Sequence, residues 1–301
     1  MTFKQFLFIV EIRTKIVSVS TYSIALLYVL WTKQTVPIHL AALTFIAALF
    51  VDMGTTGFNS YFDWYHNVDD PKFNREDAKV IIHEGVAPGH ALAASLLCFG
   101  VAAVLGIVIA FFRGLPVIII GGVCMLVGFL YSAGKRPISF TPWGELFAGG
   151  FLGTVFFMIT YYILAGTINS MALLVSVPQS LAIAAILSTN NACDFEGDKA
   201  AGRKTLAIIT GKIAAPFIVY VLEFSWFSFI TVLSALNILP LVTLPFAAVL
   251  FIRGGRELNA MHDRGFSHET KGPNMGSISK IFMLETAGVC TALILAVFLR
   301  A

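Results

Sequence analysis

Runs of apolar residues long enough to cross a lipid bilayer recur along almost the whole of this chain, and no other feature constrains its fold so strongly. A helical crossing takes about 20 mostly apolar residues, and inside lipid only elements that satisfy their own backbone polar groups survive. Nine stretches qualify, near 16–31, 38–58, 90–112, 115–133, 146–166, 171–192, 213–236, 239–253 and 281–300. The expected fold is an all-α integral membrane bundle of about nine transmembrane helices, one domain over 1–301. Of the residues, 57% are hydrophobic and only 12% charged, against roughly 25% charged in a soluble domain. Nothing points to a nucleic-acid partner or an obligate protein partner, and the lipid bilayer is the expected surrounding.

Charge sets the expected orientation. With nine crossings, the N-terminal segment and the loops at 59–89, 134–145, 193–212 and 254–280 share one side of the membrane. All but Lys33, Arg113 and Arg300 of the 20 Lys and Arg residues fall on or immediately beside that side, which the positive-inside rule assigns to the cytoplasm. The N-terminus and every long polar loop are therefore expected on the cytoplasmic face of a cell membrane. The opening segment MTFKQFLFIVEIRTK places Phe3, Phe6, Leu7 and Val10 on one helical face, with Lys4, Glu11, Arg13 and Lys15 interrupting the run. It is expected to lie in the interface. Cys98, Cys124, Cys193 and Cys290 form no paired motif, so neither a disulfide nor zinc is expected.

Two of the loops carry chemistry. The second crossing leaves through FVDMGTTGFNSYFDWYHNVDD and the sixth through LSTNNACDFEGDKAAGRKT. Each holds Asn-x-x-x-Asp, Asn59 with Asp63 and Asn190 with Asp194, and four residues is one helical turn, so each Asn shares a face with its Asp. Asp198 extends the second face by another turn. In the first, Pro71 disfavours helix at Asp70, leaving Asp69 or Asp70 as the third acid. Clustered carboxylates repel unless a cation lies among them, and Mg²⁺, a hard ion bound through few carboxylates and completed by substrate phosphate and water, suits them. Basic residues follow both clusters, Lys72, Arg75 and Lys79 after the first and Lys199, Arg203 and Lys204 after the second, while YSAGKRP adds Tyr131, Lys135 and Arg136. Acids for Mg²⁺ and bases for phosphate oxygens above an apolar interior describe a site for an amphiphile with a diphosphate head.

At these residues the chain resembles the UbiA superfamily of intramembrane aromatic prenyltransferases. NSYFDWYHNVD is similar to its first Asp-rich motif, NNACDFEGD to its second, and YSAGK to its Tyr-x-x-x-Lys element. The resemblance implies Mg²⁺-dependent transfer of a polyprenyl group from a prenyl diphosphate to an aromatic small-molecule acceptor. It makes Asn59, Asp63, Asp69 or Asp70, Asn190, Asp194 and Asp198 the metal ligands. Lys72, Arg75, Arg136, Arg203 and Lys204 become substrate contacts, and Asp63, Asp194, Asp198, Lys135 and Tyr131 the catalytic set. NNACDFEGDKAAGRKTLAIITG is most similar to the branch that prenylates 1,4-dihydroxy-2-naphthoate, although Cys193 stands where that branch often has Arg. Other aromatic acceptors, such as 4-hydroxybenzoate, homogentisate or a tetrapyrrole, stay open.

Asp52, seven residues before Asn59 on the same face, lies at membrane depth, where an acid costs roughly 2.5–3.5 kcal/mol. It is expected either to hold the acceptor hydroxyl or to pair with another helix. Glu223 and Glu285 are expected to pair structurally. GDKAAGRKT lacks the spacing of a phosphate-binding P-loop, and His83 and His90 are seven apart where a zinc helix needs four. A cation-coupled transporter is the rival of a different class, but it predicts acids running through to the far face.

Overall fold

The computed structural model describes residues 1–68 and 79–300, apart from the side chain of residue 300; among these the chain is helical, with no strand. A short α1 (Phe3–Ile9), held by a Thr2/Gln5 capping box, leads through a tight turn into α2 (Ile16–Lys33). The succession continues with α3 (Ile38–Tyr65), the short α4 (Val80–His83), α5 (Pro88–Arg113) and α6 (Leu115–Leu130). Then come α7 (Gly144–Gly149) and α8 (Phe156–Ala165), joined by one π-helical segment (Gly150–Val155), α9 (Ser170–Cys193), two short helices α10 (Phe195–Ala200) and α11 (Leu206–Thr210), α12 (Ala215–Ala235), α13 (Thr243–Arg264) and α14 (Lys271–Arg300).

Local sequence explains the boundaries. Pro88 opens α5 at a position whose N–H needs no partner. Asn169 caps α9 by accepting from the Met171 N–H at 2.8 Å. Gly166 at φ 74° closes α8, and Gly114 at φ 83° turns α5 back into α6, two conformations that side chains resist.

Seven helices among the described residues are long and apolar enough to cross a membrane: Ile12–Lys33, Ile38–Tyr65, Pro88–Arg113, Gly144–Ala165, Ser170–Cys193, Ala215–Ala235 and Lys271–Leu299. Leu115–Leu130 is apolar but shorter. The stretch expected at 239–253 begins instead at Thr243 and runs on to Arg264 through Arg253, Arg256, Glu257 and Asp263, so its second half is polar. The last loop is also shorter than expected, since α13 persists to Arg264 and α14 starts at Lys271. Pro273, a residue that disfavours helix interiors, sits in the first turn of α14, where its missing N–H costs little.

Close packing of the π-helical segment on α9 helps frame the central cavity. A Cβ added at Gly149 would lie 2.4 Å from the Ser180 carbonyl, and one at Gly153 would lie 2.6 Å from the Ser180 backbone N. The segment through the π turn therefore lies directly on α9, and the Thr154 N–H donates to Ser180 Oγ at 2.9 Å. Diversion of that donor accompanies the wider turn. Tyr28, Phe157, Tyr161 and Trp226 fill the core between α2, α8 and α12.

Candidate active site

A cavity of about 1140 Å³ opens within the bundle. Along α3 it is lined from Asp63 down to Thr44, a run of about 28 Å at 1.5 Å per residue, close to the roughly 30 Å of a bilayer core. Its deeper walls are mainly aliphatic and aromatic, with Thr44 and Asp52 as polar exceptions, and the two Asn-Asp pairs lie at one end.

The sequence-expected residues Asn59, Asp63, Tyr131, Asn190, Asp194, Asp198, Arg203 and Asp52 all line this cavity. The two Asn-Asp pairs repeat one arrangement. Asn59 Nδ2 donates to Asp63 Oδ2 at 2.9 Å and Asn190 Nδ2 to Asp194 Oδ2 at 3.1 Å, the one-turn spacing of α3 and α9 bringing each Asn against its acid. Each of those carboxylate oxygens also receives a lysine: Lys79 reaches Asp63 at 3.1 Å and Lys271 reaches Asp194 at 2.7 Å. Lys271 comes from the other end of the chain, and no spacing rule in the sequence ties it to Asp194.

Asp198, one turn beyond Asp194, is 3% exposed. Its Oδ1 accepts from Arg203 Nη1 at 2.9 Å while its buried Oδ2 has no partner. Burial, seconded by Asp194, pushes the Asp198 carboxyl up to about 6 against the opposing pull of Arg203. Burial by itself disfavours charge on Arg203, but Asp198, Asp63, Tyr131 and Asp194 around it prevail and raise its guanidinium above the usual value. Arg203 lines the cavity together with both acid clusters and is paired with Asp198. A bond from Nη2 to the Ser139 carbonyl at 3.0 Å and a seat over the Phe140 ring at 5.1 Å fix it there. Tyr131 is partly buried, and desolvation moves its phenol upward, so it stays a hydroxyl donor.

Not every expected residue meets the cavity. Lys135, Arg136 and Lys204 are exposed and lie off its lining. The turn after α6 and the one after α10 aim these side chains outward, and Lys204 contributes its backbone N–H to the Phe140 carbonyl at 2.9 Å. Asp69, Asp70, Lys72 and Arg75 lie outside the described residues. Asp52 is buried in an ion pair with Lys15 and accepts from Ser18 Oγ at 2.6 Å, so Lys15, expected in the interface, is inside the bundle. Glu223 and Glu285 meet each other between α12 and α14, and neither lines the cavity.

Several cavity residues carried no usable signal in the sequence. Phe147, Phe151 and Phe156 line the wall, the first two stacked at 5.9 Å and 6°, yet 27 phenylalanines offered no ground for choosing them. Asn191 faces the cavity with its amide held by Glu145 Oε1 at 2.9 Å. Glu145 is buried, and its second oxygen is without a partner.

The donor set suits Mg²⁺. Every candidate ligand offers hard oxygen, one Asp198 oxygen is unbonded, and cations already stand at all three acids. Among the described residues no three His, Cys, Asp or Glu side chains converge as a closed metal cage. An ion bound here would complete its shell from water and substrate, which is the habit of Mg²⁺.

A model of the UbiA prenyltransferase family matches residues 18–264. Over 173 residues the chain is 37% identical to the 1,4-dihydroxy-2-naphthoate octaprenyltransferase of Bacillus subtilis (strain 168), a match covering 56% of this chain and 55% of that one. Over 199 residues it is 26% identical to UbiA prenyltransferase domain-containing protein 1 of Homo sapiens, covering 63% and 57%. The chain thus spans little more than half the length of these curated relatives. A UbiA homolog from Archaeoglobus fulgidus bound to GPP and Mg²⁺ has the same fold, with a TM-score of 0.69 at 13% identity over 97% of this chain and 99% of that one. A digeranylgeranylglyceryl phosphate synthase structure gives 0.66 at 18% identity over 97% and 98%. With the family model covering most of its length and the acid pairs set around one intramembrane cavity, the chain belongs to the UbiA prenyltransferase family.

Proposed function

We propose that this protein transfers a polyprenyl group from its diphosphate to an aromatic acceptor, 1,4-dihydroxy-2-naphthoate, in menaquinone synthesis. The observation that carries the reading is the pair of Asn-Asp clusters at the polar end of a deep apolar cavity: a place for a diphosphate head joined to a place for its hydrocarbon tail. Similarity to naphthoate octaprenyltransferases supports the acceptor. We place the site on the cytoplasmic face of a plasma-membrane bundle with nine crossings, a reading that the positive-inside rule supports.

Asn59, Asp63, Asn190, Asp194 and Asp198 would hold Mg²⁺, with Asp69 or Asp70 completing the first cluster. When bound, Mg²⁺ neutralises charge that develops on the departing diphosphate. Arg203, fixed beside Asp198, adds a preorganised cation at the same oxygens, and Tyr131 offers a hydroxyl. As the carbon–oxygen bond to the diphosphate breaks, the allylic fragment becomes a cation. Water would consume it, so its passage to the acceptor needs the dry interior that the cavity supplies. The faces of Phe147, Phe151 and Phe156 favour positive charge along that wall. Asp52, its position fixed by Lys15 and Ser18, accepts a hydrogen bond from the acceptor's hydroxyl. The electron-rich ring captures the allylic carbon as the diphosphate departs, and the ring regains aromaticity by releasing a proton. Its carboxylate leaves as CO₂, a proton taking its place, to give the naphthoquinol.

The test is to incubate purified protein with a long-chain prenyl diphosphate and 1,4-dihydroxy-2-naphthoate, with and without Mg²⁺, and to follow products by mass. A Mg²⁺-dependent prenylated naphthoquinol, reduced at least 10²-fold in Asp63→Ala and Asp194→Ala, is expected. Transfer to a different aromatic only would keep the chemistry and discard the acceptor. No transfer and no pyrophosphate release from folded protein would refute the enzyme reading.

A further inference from the structure

The two acid clusters share a detail that metal binding alone does not require. In each, one carboxylate oxygen is claimed both by the Asn four residues earlier and by a lysine from another element: Asp63 Oδ2 by Asn59 and Lys79, Asp194 Oδ2 by Asn190 and Lys271. Both lysine side chains are largely covered, 11% and 18% exposed, and both line the cavity. A divalent ion settling on either oxygen would meet an ammonium at hydrogen-bond distance, and in partly desolvated surroundings such like charges repel strongly. The displaced ammonium, at the end of a flexible four-carbon stem, can then swing to a diphosphate oxygen in the same cavity.

We propose that Lys79 and Lys271 are exchangeable counter-ions. They neutralise Asp63 and Asp194 while the site is empty, and they pass to the diphosphate oxygens when a divalent cation takes those carboxylates. Arg203 is the fixed partner by contrast, since the Ser139 carbonyl, Asp198 and the Phe140 ring hold its planar head in place. The inference rests on the reading of the donor as a diphosphate loaded with Mg²⁺, and it adds an order to the binding. Mg²⁺ alone competes with the lysines and binds weakly, diphosphate relieves the competition, and each ligand tightens the other by the same factor.

Titration calorimetry on the full chain in detergent tests this with two probes, MgCl₂ alone and inorganic pyrophosphate at saturating Mg²⁺. Lys271→Gln is expected to move the two affinities in opposite directions. Mg²⁺ alone tightens by roughly threefold or more, while pyrophosphate weakens by roughly tenfold or more, the size of a lost charge-assisted bond. Lys79→Gln repeats the measurement at the other cluster and keeps the test alive if the first variant does not fold. Weaker or unchanged Mg²⁺ binding in the lysine variants overturns the exchange and leaves both lysines as structural contacts. Wild-type protein that binds no pyrophosphate even with Mg²⁺ overturns the donor site itself, a different failure.

Discussion

Asp198 carries a measurable signature at the scale of a single residue. Its ordinary value of 3.8 is raised to about 6, burial being the main cause. The folded state therefore keeps a proton that the unfolded chain has released. The sign follows: this residue's stabilising contribution is complete below about pH 4 and is lost as pH rises through about 6. In metal-free protein with chelator present, wild type should lose on the order of 2–3 kcal/mol relative to Asp198→Asn between those limits, with no further change above pH 7. Thermal melts across a pH series check this, and a pH-independent difference would count against it. Lys15 offers a second test. Lys15→Met leaves the buried Asp52 with the Ser18 hydroxyl but without its counter-charge and should cost about 3–5 kcal/mol, most of which returns in the double variant with Asp52→Leu. Melting temperatures of the three proteins decide.

How far such residues can be read in advance depends on what fixes them. Asn59 with Asp63 and Asn190 with Asp194 were legible because one helical turn joins each pair. Lys271 and Glu145 were not, because they reach their partners Asp194 and Asn191 from 77 and 46 residues away. Lys135, Arg136 and Lys204 show the converse: nearness in sequence to the motifs did not turn their side chains inward.

At the scale of elements, glycines separate two kinds of helix contact. Gly153 lies on the Ser180 backbone, where Gly153→Val cannot be relieved by a side-chain rotation and should cost about 1–3 kcal/mol or more. A Cβ at Gly121 of α6 meets nothing within 4 Å, so Gly121→Ala should be neutral or stabilising by up to about 1 kcal/mol through helix propensity. The same melting assay covers both, and loss of stability at Gly121 would mean that α6 packs more closely than described. Apolar run length sufficed to find the long helices. The end of α13 and the start of α14 escaped it, because Pro273 looks like a breaker until it is placed in a first turn, and because the later turns of α13 are polar.

For the whole molecule, orientation is the property that charge alone predicts. Single cysteines placed in a cysteine-free background at Lys135 and at Asn237, in the turns at opposite ends of their helices, should be labelled by an impermeant reagent from opposite sides of a sealed vesicle. Lys135 is expected to react from the cytoplasmic side. Labelling of both from one side would contradict the bundle's threading, and a reversed pair would invert the proposed location of the site.

The ion pair between Lys271 and Asp194 also bears on how the protein is made. Helices enter the membrane in the order in which the ribosome delivers them, so α3 and α9 are in place while α14 is still to come. Until Lys271 arrives, one acid cluster stands at the cavity without that counter-charge. A ribosome-bound chain that has already threaded most of its crossings would therefore still hold an unfinished site, and completion of that site would coincide with arrival of the final helix.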